Sequence, residues 1–202
     1  MEENSKASDQ NQFQANFQIP FDYFVSKKHQ AIESGCVLGF TDSFGNFVYG
    51  VQHLSHKSKD RPHCIKLFLD ASGDTLFSIH RVNKGSWQCF RGKESREEEL
   101  IFKVERTVDG FTRTEFEISL SGESKEGSKI ELKMKGSPFK RSCTIYKGDS
   151  IVAETSLMHK LGIKKMFIPR SRFRATIFPG CTDHSLALAL VVIFFDGRKL
   201  WI

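Results

Sequence analysis

The sequence lacks any apolar run long enough to cross a membrane as a helix. Its longest uninterrupted apolar run has ten residues, 186–195. As a helix, this run spans about 15 Å, half of the roughly 30 Å hydrocarbon core of a bilayer. We therefore expect no transmembrane span. Because the run has no polar side, it predicts a helix that the rest of the protein surrounds.

Paired cysteines are also missing. The five cysteines are widely spaced and form no Cys-x-x-Cys motif, and the polar start has no apolar leader. We therefore expect reduced thiols in the cytoplasm or the nucleus. Without a myristoylation or prenylation signal, contact with the plasma membrane would be peripheral. Residues 1–18 are poor in apolar side chains and predict a disordered polar tail, whereas residues 19–202 predict a single domain.

No pattern of catalytic or metal-binding residues stands out. His53, His56, His63 and Cys64 follow no zinc-ligand spacing. Nothing marks a nucleophilic thiol beside a histidine, and Cys143 lies in an alternating stretch as a core residue would. We therefore expect a non-enzymatic protein with no cofactor and no metal. Without an aromatic RNA-binding motif or a helix-turn-helix pattern, direct nucleic-acid binding is not expected either.

Phenylalanine and positive charge are in excess. Phenylalanine occurs 19 times in 202 residues, and bulky aromatic side chains favour strands. The formal net charge of +6 favours anionic partners, such as phospholipid headgroups or nucleic acid, through long-range attraction. The charge therefore biases the choice of partner without identifying one.

A repeated turn motif predicts β-hairpins. Residues 40–51 and 68–79 each run from a strand into Asp-x-x-Gly-Asn/Asp and out into a second strand, with glycine supplying a positive φ. Residues 143–154 hold a shortened version of this motif, and residues 100–106 and 114–120 show the period-two alternation of a strand. Many hairpins and one apolar helix predict a mainly β fold in which a barrel closes around the helix.

The order of several motifs resembles that of the plant LURP-one-related proteins. These motifs are Asp70-Ala-Ser-Gly-Asp74, Trp87-Gln-Cys-Phe-Arg-Gly92, Leu100-Ile-Phe-Lys-Val104, Arg141-Ser-Cys-Thr-Ile-Tyr146, and Pro179-Gly-Cys181 followed by the apolar run. That family resembles the C-terminal domain of Tubby and the phospholipid scramblases, which implies a closed twelve-stranded antiparallel β-barrel that encloses a C-terminal hydrophobic helix. The resemblance also implies a non-catalytic function. Tubby-like domains bind phosphoinositide headgroups and have been linked to transcription, and LURP-one-related proteins are associated with plant defence.

Two basic segments are candidates for the lipid contact. In the first, cations alternate with Phe167 and Phe173, and the three arginines have the period-two spacing that places strand residues on one face. Its candidate residues are Lys164, Lys165, Arg170, Arg172 and Arg174. In the second, a turn with Gly136 and Pro138 is expected to present Lys140 and Arg141 together. The alternative for both segments is a solvated face or turn whose charge only keeps the protein soluble.

The sequence therefore predicts a non-enzymatic barrel that binds anionic phospholipid, and specifically phosphoinositide, in plant defence signalling. The competing hypothesis is a protein-interaction scaffold or transcription-associated adaptor that binds no lipid. The sequence does not separate these two functions, and it does not identify protein partners or the oligomeric state.

Overall fold

In the computed structural model, residues 19–26, 36–54, 65–93, 96–110, 112–121, 131–137, 140–158, 172–181 and 183–196 are described. They form twelve strands, one short 3₁₀ helix and one α-helix. The strands are β1 Phe21–Ser26, β2 Cys36–Thr41, β3 Phe47–Leu54, β4 Ile65–Asp70, β5 Thr75–Asn83, β6 Ser86–Arg91, β7 Leu100–Asp109, β8 Thr114–Leu120, β9 Glu131–Ser137, β10 Ser142–Lys147, β11 Ser150–Leu157 and β12 Phe173–Ile177. The 3₁₀ helix is Glu97–Glu99, and α1 is His184–Asp196. The predicted tail, residues 1–18, lies outside the described residues.

The strands close into one barrel in which every neighbouring pair is antiparallel. The closure depends on β1, which pairs with β12 on one side, Phe21 opposite Ile177, and with β2 on the other, Val25 opposite Phe40. Since β1 has a partner on each side, none of the twelve strands is an edge strand. The predicted mainly β barrel with a C-terminal helix is confirmed.

The hairpin turns form as the repeated motif predicts. Asp42 Oδ1 accepts hydrogen bonds from the backbone N–H groups of Phe44 and Asn46, at 2.9 and 2.8 Å. Asp70 makes the same pair of contacts with Ser72 and Asp74, both at 2.9 Å. The glycines at positions 45 and 73 have φ values of 87° and 91°, which a side chain rarely tolerates. The motif therefore encodes the turn through one carboxylate and one glycine.

Helix α1 lies along the interior of the barrel. Residues 187–195 are all buried, with exposures of 0 to 2%. Asp183 caps the start of the helix, because its Oδ1 accepts hydrogen bonds from Ser185 Oγ at 2.6 Å and Leu186 N at 2.9 Å. Among all the residues that the structure describes, no helix is long and apolar enough to cross a membrane.

Period-two alternation divides each strand into an inner and an outer face. In β8, Phe116 and Ile118 point into the core while Glu117 is exposed, and Glu117 lies opposite Lys133 of β9, with 3.7 Å between the charged atoms. Inside the barrel, aromatic rings connect strands to the helix. Trp87 packs on Phe116, and Phe116 packs on Phe194 of α1, with centroid distances of 5.6 and 5.5 Å. The wall and the helix therefore share one continuous core.

Candidate site at the basic end of the barrel

The two ends of the barrel differ in charge, and each is named here for its charge. The basic end is where α1 stops at Asp196, together with the β5–β6, β7–β8 and β9–β10 turns and the start of β12. The acidic end is where α1 begins at His184, together with the β2–β3, β4–β5 and β10–β11 turns and residues 178–183. Antiparallel pairing sends alternate turns to opposite ends, so the residues of the turns and of the neighbouring strand ends decide which end receives which charge.

An ion pair lies at the centre of the basic end. Asp196, the last residue of α1, forms a salt bridge with Lys66 of β4 and accepts a hydrogen bond from Trp87 Nε1 at 3.1 Å. Lys66 is only 7% exposed, because it stands on the inward face of β4, two residues from the buried Phe68. A lysine buried to this degree needs a partner, and Asp196 supplies it. The pair therefore fixes the end of the helix against the wall.

Three arginines line the same end of the barrel interior and stack on aromatic rings. The guanidinium groups of Arg81 and Arg106 each lie 5.5 Å from the Trp87 ring centroid, and that of Arg141 lies 5.7 Å from the Phe195 centroid. Such cation–π contacts contribute about 0.5–2 kcal/mol each, more when water is excluded. Together with Lys66, these arginines form what we call the inner cation ring.

A second set of cations faces solvent at the basic end. Lys84 lies in the β5–β6 turn, Lys140 in the β9–β10 turn, and Arg172 immediately before β12. All three are exposed, and no described carboxylate forms an ion pair with any of them. We call Lys84, Lys140 and Arg172 the outer cations. Their charge is available to a partner.

The neighbouring exposed cations are partly neutralised by carboxylates. Arg174 of β12 lies 3.5 Å from Asp22, and Arg113 forms a salt bridge with Glu115. Asp22 also accepts a hydrogen bond from Thr176 at 2.6 Å, which holds its carboxylate in place beside Arg174. These paired cations therefore offer less free charge than the outer cations do.

The predicted site residues separate into three groups. Lys140, Arg172 and Arg174 are exposed at the basic end. Arg141 is only 7% exposed and has a φ of 55°, with its side chain over Phe195, so the expectation that the turn presents Lys140 and Arg141 together is wrong. The remaining predicted residues, Lys164, Lys165 and Arg170, lie outside the described residues.

Sequence reasoning missed Lys84 and three members of the inner cation ring, Lys66, Arg81 and Arg106. The missed signal is strand phase, because each inner cation stands two residues from a buried apolar residue. Lys66, Arg81 and Arg106 share a strand with that residue, and Arg141 lies immediately before β10. Lys66 precedes Phe68, Arg81 follows Ile79, Arg106 follows Val104, and Arg141 precedes Cys143. Lys84 belongs to a two-residue turn that joins two strands and carries no repeated motif.

Carboxylates and tyrosines characterise the acidic end. Its turns carry Asp42, Asp70, Asp74, Asp149 and Asp183. Tyr23 Oη lies 3.0 Å from His184 Nδ1 and forms a hydrogen bond with it. Burial, reinforced by Tyr49 and Asp42, raises the pKa of Tyr23 to about 12. Burial, with Asp183 and Asp70, likewise raises the pKa of Tyr49.

Three of the described thiols, those of Cys89, Cys143 and Cys181, do not have the properties of a nucleophile. Cys89 and Cys143 are fully buried, and burial raises the pKa of each thiol, which disfavours the thiolate that attacks a substrate. Burial also raises the pKa of Cys181. Cys143 packs in the core, as the alternation of its strand predicts. Over the described ranges, no group of three or more His, Cys, Asp or Glu residues is arranged to hold a metal ion.

A closed barrel with a buried apolar helix along its interior defines a Tubby-like class of fold. Within that class, the family model for LURP-one-related proteins matches residues 21–196. The chain therefore belongs to the LURP-one-related family.

Its relatives cover nearly the whole chain. It is 45% identical over 179 residues to Protein LURP-one-related 7 of Arabidopsis thaliana, with 89% of this chain and 91% of the relative aligned. It is 26% identical to Protein LURP-one-related 15 of the same plant, over 89% of this chain and 81% of the relative. It is 28% identical to Protein LURP1, also of Arabidopsis thaliana, over 81% of each chain.

Proposed function

We propose that this protein is a non-catalytic module that attaches reversibly to membranes carrying anionic phospholipid, with its basic end facing the lipid. The observation that carries the proposal is the set of outer cations, which surround this end without a described carboxylate partner. Each cation near an anionic surface contributes about 1 kcal/mol. Phosphoinositides fit this site best, because one headgroup offers several phosphate oxygens to several cations at once.

The inner cation ring supports the same orientation. Its positive charges lie at the same end of the barrel as the outer cations, and Asp196 and Asp109 form ion pairs with two of its members, Lys66 and Arg106. Cations therefore lie both inside the barrel and on its surface at the basic end. Their combined field attracts an anionic surface from a distance. We place the attachment on the cytoplasmic side of plant membranes, with exchange into the cytoplasm and nucleus. Membership of the LURP-one-related family supports a role in defence signalling.

Co-sedimentation with vesicles tests the proposal. Wild-type protein is mixed with neutral vesicles, with vesicles containing phosphatidylserine, and with vesicles containing phosphatidylinositol bisphosphate. We expect binding to the two anionic compositions, strongest to the bisphosphate, and a loss of binding as salt rises. Equal and negligible binding to all three would refute the proposal.

A matched pair of charge reversals locates the contact. The variant Lys140→Glu/Arg172→Glu changes two outer cations, and Lys93→Glu/Lys147→Glu changes two exposed cations away from the basic end by the same amount. We expect the first variant to bind at least about thirtyfold more weakly, because two lost contacts of about 1 kcal/mol each multiply to that factor. The second variant should bind nearly as the wild type does. Equal losses would mean that net charge, and not the basic end, causes binding.

A protein-interaction scaffold is the second candidate, and the acidic end favours it. Phe44 is 89% exposed at the tip of the β2–β3 turn, and Phe21 and Ile19 at the start of β1 are 55% and 83% exposed. Exposed aromatic and aliphatic side chains are common at protein contacts. If vesicles do not bind, recovery of a partner by the wild type but not by Phe44→Ser would support this second function.

A further inference from the structure

A cavity of about 250 Å³ lies at the acidic end, beside the first two turns of α1. Its strand side is formed by Leu120, Leu132, Ile145 and Val152, and its helix side by Leu186 and Leu190. The small side chain of Ala187 faces the same space and leaves it open. These residues come from four consecutive strands and the helix, so the cavity is built into the wall of the barrel.

The lining is aliphatic, with charge only at its edge. No aromatic ring of the described residues lines the cavity. Among the described residues that line it, Lys147, exposed at the end of β10, is the one cation, and no described carboxylate forms an ion pair with this lysine. Asp183 also borders the cavity. Its Oδ1 accepts hydrogen bonds from Ser185 Oγ and Leu186 N, and the positive start of the helix dipole offsets its charge. The space therefore combines an apolar interior with an available positive charge.

From this combination we infer that the cavity binds a medium-chain aliphatic monocarboxylate, with the alkyl chain among the leucines and the carboxylate beside Lys147. At about 30 Å³ for each heavy atom, the volume of one water in the liquid, the cavity holds roughly eight carbons. A flexible alkyl chain suits a lining of branched aliphatic side chains better than a rigid ring does. This inference is independent of membrane attachment, because it uses the opposite end of the barrel.

Calorimetric titration with a series of carboxylates tests the inference. Butanoate, hexanoate, octanoate, decanoate and dodecanoate are each titrated, below micelle-forming concentrations, into the full-length protein. Each buried methylene contributes about 0.8 kcal/mol, so affinity should rise about fourfold per methylene. It should level off at roughly eight carbons, when the cavity is full. Absence of saturable binding, or a rise that continues unchanged to dodecanoate, would overturn the inference.

Two alternative ligands separate the contribution of the carboxylate from that of the alkyl chain. Compared with octanoate, 1-octanol keeps the chain and loses the charge, and we expect it to bind roughly two- to fivefold more weakly, the range for an exposed charge contact. Vesicles of neutral phosphatidylcholine test whether the acyl chain of a lipid enters instead of a free acid. If such vesicles displace octanoate, the free-acid assignment is wrong.

Variants identify the site. Lys147→Gln should reduce octanoate affinity roughly two- to fivefold and leave 1-octanol affinity unchanged, while Lys93→Gln, which changes an exposed cation outside the cavity, should alter neither. Ala187→Leu fills the cavity and should abolish binding of both ligands. Should that variant fail to fold, Leu186→Phe narrows the cavity from its half-buried edge. Unchanged octanoate binding in a folded filling variant would contradict the assignment.

Discussion

The basic and acidic ends of the barrel receive the same kind of connections and use them differently. At the acidic end, carboxylates form hydrogen bonds with the backbone of the turns and with the start of α1. At the basic end, cations turn inward onto aromatic rings or outward into solvent. The two ends show that one fold can reserve one end for a charged surface and the other for local structure.

The direction of α1 makes the difference between the ends favourable. A helix carries about half a positive charge at its start and half a negative charge at its end. Asp183 lies at the start, and Lys66 reaches the carboxylate at the end. The carboxylate of Asp196 by itself is unfavourable there, and Lys66 and Trp87 compensate for it. The helix is therefore aligned with the charge separation of the barrel.

Placing a charge in the buried helix should have the largest effect, because both ends of the barrel pack against α1. Leu190→Asp places a carboxylate at a fully buried position, at a cost of several kcal/mol, and we expect the variant not to fold. Ile151→Asp, at a position that is 42% exposed, serves as the control and should fold. Circular dichroism and thermal melting measure both. A Leu190→Asp variant that melts at the wild-type temperature would show that the helix is not buried.

Alanine at a glycine should be far more harmful at the basic end than at the acidic end. A Cβ on Gly136 of β9 would overlap the Ser142 carbonyl oxygen and lie 2.8 Å from Cys143 Cα, both backbone atoms of the next strand. A Cβ on Gly73 would meet nothing within 4 Å, and its cost comes from the positive φ, about 1–2 kcal/mol. We expect Gly136→Ala to lose several times more stability than Gly73→Ala in chemical denaturation. Equal losses would contradict the close pairing of β9 and β10.

Breaking the central ion pair should destabilise the basic end selectively. Asp196→Ala leaves the Lys66 ammonium buried without its partner, at a cost of about 3 kcal/mol. Lys66→Met/Asp196→Ala removes both charges and should recover much of that loss, and its second single variant is Lys66→Met. Denaturant unfolding of the single and double variants forms a double-mutant cycle. Additive losses would show that the two residues do not interact.

A smaller effect is expected at the acidic end as pH rises. Tyr23 has a pKa near 12 in the folded protein and near 10 when unfolded, so the folded state holds its proton more tightly. The free energy of unfolding should therefore fall between pH 10 and about 12, by up to roughly 2 kcal/mol, and not below that range. Tyr23→Phe should reduce this loss. Tyrosinate absorbance measures the ionisation, and denaturation at alkaline pH measures the loss of stability. An unchanged loss in the variant would mean that a group other than Tyr23 causes it.

The sequence predicted the parts of the fold that depend on local pattern. The ten-residue apolar run identified α1, and Asp-x-x-Gly identified two turns, because each pattern acts within a few residues. The prediction that the turn presents Arg141 to solvent was wrong, because the side chain of Arg141 points into the barrel. Arg141 continues the inward alternation of Cys143 and Ile145, and in that direction its guanidinium group packs on the Phe195 ring.

The sequence could not predict which residues of distant turns lie together. Lys84 and Arg172 are far apart in the chain and reach one end because each strand from β5 to β12 runs antiparallel to the strand before it. The cavity beside Lys147 depends on four strands and Ala187 together, so no single segment contains it. Such sites arise from topology, whereas the resemblance to LURP-one-related proteins supplied the number of strands.

Hydrogen–deuterium exchange on vesicles tests the central comparison most directly. Exchange of the free protein is compared with that of the protein bound to vesicles containing phosphatidylinositol bisphosphate. We predict slower exchange in the turns around Lys84 and Lys140, and unchanged exchange in the turns at residues 42–46 and 70–74. Protection at the acidic turns instead, or equal protection at both ends, would contradict the assignment of the basic end as the membrane-facing surface.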